Sequence, residues 1–155
     1  MILKVGPYTL TQQIETAEGL LEFTEEEYLT AEYNGFRRNL EDERFFNGAN
    51  IKFASAPWNS TMIGSTNGQI YKISLQCNTR NKMLAKIALQ TTVSFVNTQI
   101  GKYNEHPLFS SKYIWDTNEG NIILYKKRML QWFSINIFFT SSLIRNQVLK
   151  IRNNS

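Results

Sequence analysis

The chain has one cysteine, Cys77, and one histidine, His106, among its 155 residues. A lone cysteine cannot form an intrachain disulfide, so nothing points to an oxidising compartment. Cys77 reads instead as a small buried hydrophobe in a strand. Two such residues are too few for a zinc site. The single histidine also limits nucleophilic catalysis, and His106 stands before Pro107 in what reads as a surface loop. Neither GxGxxG nor GxxxxGK[ST] occurs; Gly64-Ser65-Thr66-Asn67-Gly68 reads as a hairpin tip. The most apolar tract, Met129 to Ile144, is broken by Gln131, Ser134, Asn136 and Thr140 to Ser142, and is too short to span a bilayer as a helix. Lys4, Gly6 and Pro7 interrupt the opening residues, unlike a secretory leader. Without a leader, the acceptor pattern Asn59-Ser60-Thr61 is a chance match. These scarcities predict a cytoplasmic, non-catalytic protein with no cofactor, no metal and no membrane partner.

Acidic residues are scarce in one part of the chain only. Residues 1–50 hold ten acidic side chains and four basic ones, for a net charge of −6. The remainder holds thirteen basic residues against Glu105, Asp116 and Glu119, for a net charge of +10. The overall +4 therefore conceals two opposed regions. Opposed charge can be neutralised within a fold or can present two polar faces to partners.

No low-complexity segment or Pro/Gly/Ser linker divides the chain, and its length predicts one domain over 1–155. Ten Phe, seven Tyr and three Trp favour pleated, half-buried surfaces. Gly6-Pro7 signals a turn. Thr24 and Glu27 have capping-box spacing, with Phe23 and Tyr28 at the staple positions. That pattern predicts a short helix from about Glu25 to Tyr33, ended by Gly35. From Asn50 to Ala56 the pattern predicts a strand stopped by Pro57. Thr61–Thr66 and Gln69–Cys77 flank Asn67-Gly68, a dipeptide suited to a turn with two positive φ angles. In the second arm, Tyr71, Ile73, Leu75 and Cys77 share one face.

Asn81 to Ile100 has the apolar half-circle of a helix lying across a sheet, with Asn81 as N-cap and Gly101 just past its end. Tyr113–Thr117 and Ile122–Lys127 form a second hairpin. Gln131–Thr140 alternates over ten residues: Phe133, Ile135, Ile137 and Phe139 face one way, Trp132, Ser134, Asn136 and Phe138 the other. Asn146–Ile151 reads either as a short edge strand or as a fraying end. The order of hairpin, helix, hairpin and strand, with a faint echo between Thr66–Lys72 and Thr117–Lys126, predicts one antiparallel sheet. The expected fold is α+β: about five to seven antiparallel strands, one long helix over about 81–100 packed across them, and an irregular acidic N-terminal region.

Three groups of residues are candidates for binding. Lys126, Lys127 and Arg128, with Arg145, Lys150 and Arg152, form a basic cluster. Their position between two expected strands reads as a charged bend guarding a sheet edge. Trp132 and Phe138, on the polar side of an alternating strand, form an apolar patch unless the N-terminal third covers them. Tyr113, Trp115 and Asp116 could line a pocket between helix and sheet, although Asp116 also suits a turn. Glu25–Glu27 and Glu41–Glu43 read as solvated acidic faces. The leading expectation is recognition of another protein, in the manner of a small inhibitor or immunity protein. Nucleic-acid binding by the basic residues ranks second. A small-ligand binder or enzyme with a helix–sheet pocket ranks third.

Overall fold

The computed structural model describes residues 4–17, 24–26, 44–48, 51–103 and 112–142. Seven strands make one antiparallel sheet: β1 (Thr24–Glu26), β2 (Arg44–Gly48), β3 (Ser60–Thr66), β4 (Gln69–Thr79), β5 (Lys112–Asp116), β6 (Gly120–Met129) and β7 (Trp132–Ser141). The spatial order is β1-β2-β3-β4-β7-β6-β5. Two meanders thus meet at the β4–β7 pairing. A helix, α1 (Lys82–Gln99), links them and packs on β4, β7 and β6. The expected α+β architecture is the observed one.

Local chemistry explains these elements. Asn67 and Gly68 hold φ of 49° and 76°, so the β3–β4 hairpin has the double positive-φ turn its sequence demands. Asn81 caps α1: its side-chain oxygen accepts from the Met83 and Leu84 backbone N–H groups at 3.0 and 3.2 Å. Gly101, at φ 127°, closes the other end by donating to the Asn97 carbonyl at 2.9 Å. The buried seam of α1 is Ala85, Ala88, Thr92 and Val96. Small side chains at this spacing let the helix lie close to the sheet. Beneath it sit Ile73, Leu75 and Cys77 of β4, Ile135, Ile137 and Phe139 of β7, and Ile122 and Leu124 of β6. Phe53 locks the 51–58 loop onto this layer through edge-on contacts with Phe95 at 5.1 Å and Phe139 at 5.2 Å. The described N-terminal residues join the same core through Val5, Tyr8 and Ile14. The expected Gly6-Pro7 turn is present, with Val5 and Tyr8 exchanging backbone hydrogen bonds.

Several expectations are corrected. Thr24–Glu26 forms a strand, pairing Thr24 with Asn47 and Glu26 with Phe45, where a helix was expected to begin. Local capping signals are weak beside a ladder offered by a neighbouring strand. The rest of the expected helix lies outside the described residues. Ile51 to Ala56 is a loop, not a strand. Ile51 and Phe53 are buried and Lys52 exposed, as alternation suggested, but Ala54 and Ser55 adopt φ of 56° and 55° and turn the chain. Tyr71 does not share the face of Ile73. A register shift between Gly64 and Ser65 pairs Ser65 with Ile70, so Ile70 joins the core. The Tyr71 ring lies over Gly64 beside Phe45 on the opposite face. Finally, Lys126–Arg128 belongs to β6 itself, and the bend falls at Leu130-Gln131. His106, Glu41–Glu43, Arg145, Lys150, Arg152 and the candidate strand 146–151 lie outside the described residues.

Candidate binding surface

The β6–β7 hairpin carries most of the residues that the sequence singled out. Its ladder runs from Gly120↔Ser141 to Met129↔Trp132, closed by Leu130 and Gln131. Leu130 has φ 49° and is 96% exposed. Met129 is 50% and Trp132 42% exposed. Three large apolar side chains therefore meet solvent at one end of the sheet.

Strand alternation divides the basic triplet. Lys126 pairs with Ile135 and Arg128 with Phe133, which places both on the α1 side. There Lys126 Nζ and the Arg128 guanidinium stand 5.2 and 5.8 Å from the centre of the Phe133 ring. Lys127 pairs with Ser134 and lies on the opposite, open face with Trp132. Arg80, just past β4, covers the Trp132 ring at 4.7 Å. Cations thus flank the hairpin end on both faces.

The open face beside Trp132 is concave. A hollow of about 430 Å³ is lined by Gln76, Asn78, Tyr125, Lys127, Met129, Trp132, Ser134 and Asn136. Its floor is ordered by side-chain amides. Ser134 Oγ accepts from Gln76 Nε2 at 3.2 Å and from Asn136 Nδ2 at 2.9 Å. Asn59 holds the end of β4 by donating to the Asn78 carbonyl and accepting from the Asn78 N–H, at 2.9 and 3.1 Å. Half-buried Phe138 stacks on Tyr125 with centroids 5.7 Å apart. Burial pushes the Tyr125 phenol above its ordinary value, so it is neutral at physiological pH. Trp132 and Phe138 share this face, as expected, but only Trp132 is among the exposed large apolar residues.

Tyr113, Trp115 and Asp116 are not brought together. Trp115 is buried, and its Nε1 donates to Asn97 Oδ1 at 3.0 Å and to the Gly101 carbonyl at 3.1 Å. It ties β5 to the end of α1. Tyr113 lies parallel to Trp115 on the same side, with Tyr103 edge-on to both rings. Asp116, exposed, follows on the opposite face at the strand end. Cys77 is buried under α1, and burial pushes its thiol above its ordinary value, which disfavours the thiolate. Among the described residues, no three His, Cys, Asp or Glu side chains gather as a metal site. Among the described helices, none is long and apolar enough to cross a membrane.

The alternation pattern gave Trp132 its face, but Met129, Leu130 and Arg80 were missed. Met129 and Leu130 begin the most apolar tract, and hydropathy does not tell which of its residues project. The usable signal was the length of β6: extending it through Met129 leaves a two-residue connection whose side chains must project. The fold and surface together define an α+β protein with a helix on one side of its sheet and a projecting cationic, apolar hairpin. Comparison with protein-family models, curated proteins and solved structures finds no match.

Proposed function

We propose that this chain is a non-catalytic recognition protein that binds another protein through the end of the β6–β7 hairpin. The observation that carries this reading is the cluster of exposed Met129, Leu130 and Trp132 set among Arg80, Lys126, Lys127 and Arg128. Tryptophan and arginine in contact beside a hollow are the kind of anchor on which interface energy concentrates. The surrounding cations favour an acidic partner and would speed encounter at low salt. Absence of a reactive thiol at Cys77 and the separation of Asp116 from Tyr113 and Trp115 weigh against a catalytic reading at those residues.

The test compares captures from the native source by the wild-type chain and by Leu130→Asp, at low and moderate salt. Leu130 has almost no buried area to lose, so the variant folds as the parent does. A partner retained by the wild type and lost by the variant supports the reading. Identical recoveries from both proteins would sink it.

Nucleic-acid binding is the second reading, supported by Trp132 under Arg80 and by Lys127 on the same open face. Lys126 and Arg128 lie on the other side of the sheet, which leaves fewer cations to follow one phosphate backbone. That reading requires single-stranded oligonucleotide affinity falling steeply with salt. A flat salt response would remove it.

A further inference from the structure

The hollow beside Trp132 lies within the sheet, centred on β7. Two cross-strand rows on the open face build it: Asn78, Ser134 and Lys127, then Gln76, Asn136 and Tyr125. Both ladders flanking β7 are complete through these rows, so no further strand can enter the floor. Ser134 and Asn136 are each 6% exposed and line the hollow. Ser134 Oγ accepts from both Gln76 and Asn136, which engages its two lone pairs. Its own O–H must donate elsewhere, and among the described residues it has no acceptor. Each bound amide nitrogen also keeps a second N–H. Lys127 is the one ionised side chain in the lining, which holds no Asp or Glu. Arg80 stands close by, over Trp132.

We propose that this hollow seats an acidic side chain of the protein partner, its carboxylate held by Lys127 and Ser134. This rests on the hairpin reading above and specifies the chemistry of its partner. The argument for the occupant is charge and donor count. A carboxylate only accepts hydrogen bonds, and its bonds from an ammonium and a hydroxyl are charge-assisted. A basic side chain would be opposed by Lys127 and Arg80. An apolar one would cover the Ser134 O–H and leave it without an acceptor. The next row along the strands is Met129 and Trp132, on the same face, with Leu130 beyond at the turn. An apolar residue beside the acidic one would cover these, which are 50%, 42% and 96% exposed in that order. The expected recognition element is thus an apolar residue next to an acidic one.

The test titrates isotope-labelled protein with a capped leucyl-glutamate dipeptide and with capped leucyl-glutamine, its neutral isostere. Gln76 and Asn136 also carry carbonyl oxygens that suit a carboxamide, so the isostere is a stringent control. NMR should show the acidic dipeptide binding about tenfold more tightly, roughly 1.4 kcal/mol. Shifts should fall at the Trp132 indole and at the side-chain amides of Gln76 and Asn136. Lys127→Gln should remove the preference for the acid, and Ser134→Ala should reduce it. Arg128→Gln, on the opposite face, should leave it intact. Thermal melting checks that Ser134→Ala remains folded; Lys127 is exposed, so Lys127→Gln carries the test if Ser134→Ala does not fold. Equal affinity for the two dipeptides, or no binding of either, would overturn the proposal. Equal losses from Lys127→Gln and Arg128→Gln would reduce the effect to diffuse charge and overturn it too. Tighter binding of leucyl-glutamine with a free C-terminal carboxylate would give the hollow to a chain end, and tighter binding of uridine monophosphate would give it to a nucleotide; either result overturns the side-chain assignment. If the dipeptides fail while Leu130→Asp still loses its captured partner, the hairpin reading stands and the carboxylate seat alone falls.

Discussion

Replacing Thr92 by valine should make this protein more stable. Thr92 sits in the middle of the α1 seam, fully buried between Ala88 and Val96 in the helical row. Among the described residues, its hydroxyl has no hydrogen-bond partner. Burying an unpaired hydroxyl costs about 1–3 kcal/mol, and a methyl in its place adds apolar burial without that cost. Threonine and valine are both β-branched, so the helix loses little by the exchange. The expected gain is roughly 1–2 kcal/mol, worth about 2–8 °C in Tm for a domain of this size. Urea and thermal unfolding of the wild type, Thr92→Val and Thr92→Ser would measure it. Serine keeps the orphaned hydroxyl and deletes the packed methyl, so it should lose about 1 kcal/mol. A valine variant no more stable than the wild type would refute the argument, because it would mean that the hydroxyl is satisfied or the seam is not tightly packed.

Other residues give independent checks. Asn81→Ala removes both cap hydrogen bonds and should cost about 1 kcal/mol in chemical denaturation. Trp115→Phe keeps most of the ring but strips the donor shared by Asn97 and Gly101, so a loss of about 1–2 kcal/mol is expected by the same assay. Ala54→Gly relieves a side chain held at φ 56° and should raise stability by about 0.5–1 kcal/mol; a loss would show that this turn is not strained. Cys77 should resist thiol reagents in the folded protein and react only on unfolding. Its folded pKa and that of Tyr125 lie above the unfolded values, so the unfolded chain releases those protons first. Stability from these groups is intact below about pH 9 and should fall as pH rises from there, first for Cys77 and then for Tyr125.

Much of the architecture could be read from short-range chemistry. Asn67-Gly68 can serve few purposes other than a tight hairpin. The alternation from Phe133 to Phe139 left one strand orientation. Asn81 and Gly101 bracketed α1 because each answers a need of a helix end. What escaped depended on contacts between distant segments. Thr24 to Glu26 took its form from the register offered by β2, a partner its own residues do not encode. The Tyr71 face was reversed by a one-residue slip opposite Gly64 and Ser65, which changes the parity of every position beyond it. Alternation also split Lys126 and Arg128 from Lys127 once all three proved to lie in β6, so a cluster in sequence became two flanks in space. Hydropathy marks Met129 and Leu130 only as the start of the most apolar tract, whereas the position of the turn is what exposes them.

The most direct test of the hairpin as the recognition surface is site-specific photocrosslinking in extracts of the native source. A photoreactive side chain is placed at Leu130 and, separately, at Met83, which is 62% exposed on α1. The account predicts a discrete, salt-sensitive adduct from position 130 and none from position 83. An adduct from position 83 alone, or unchanged adduct at 130 after reversal of Lys126 and Arg128, would contradict it.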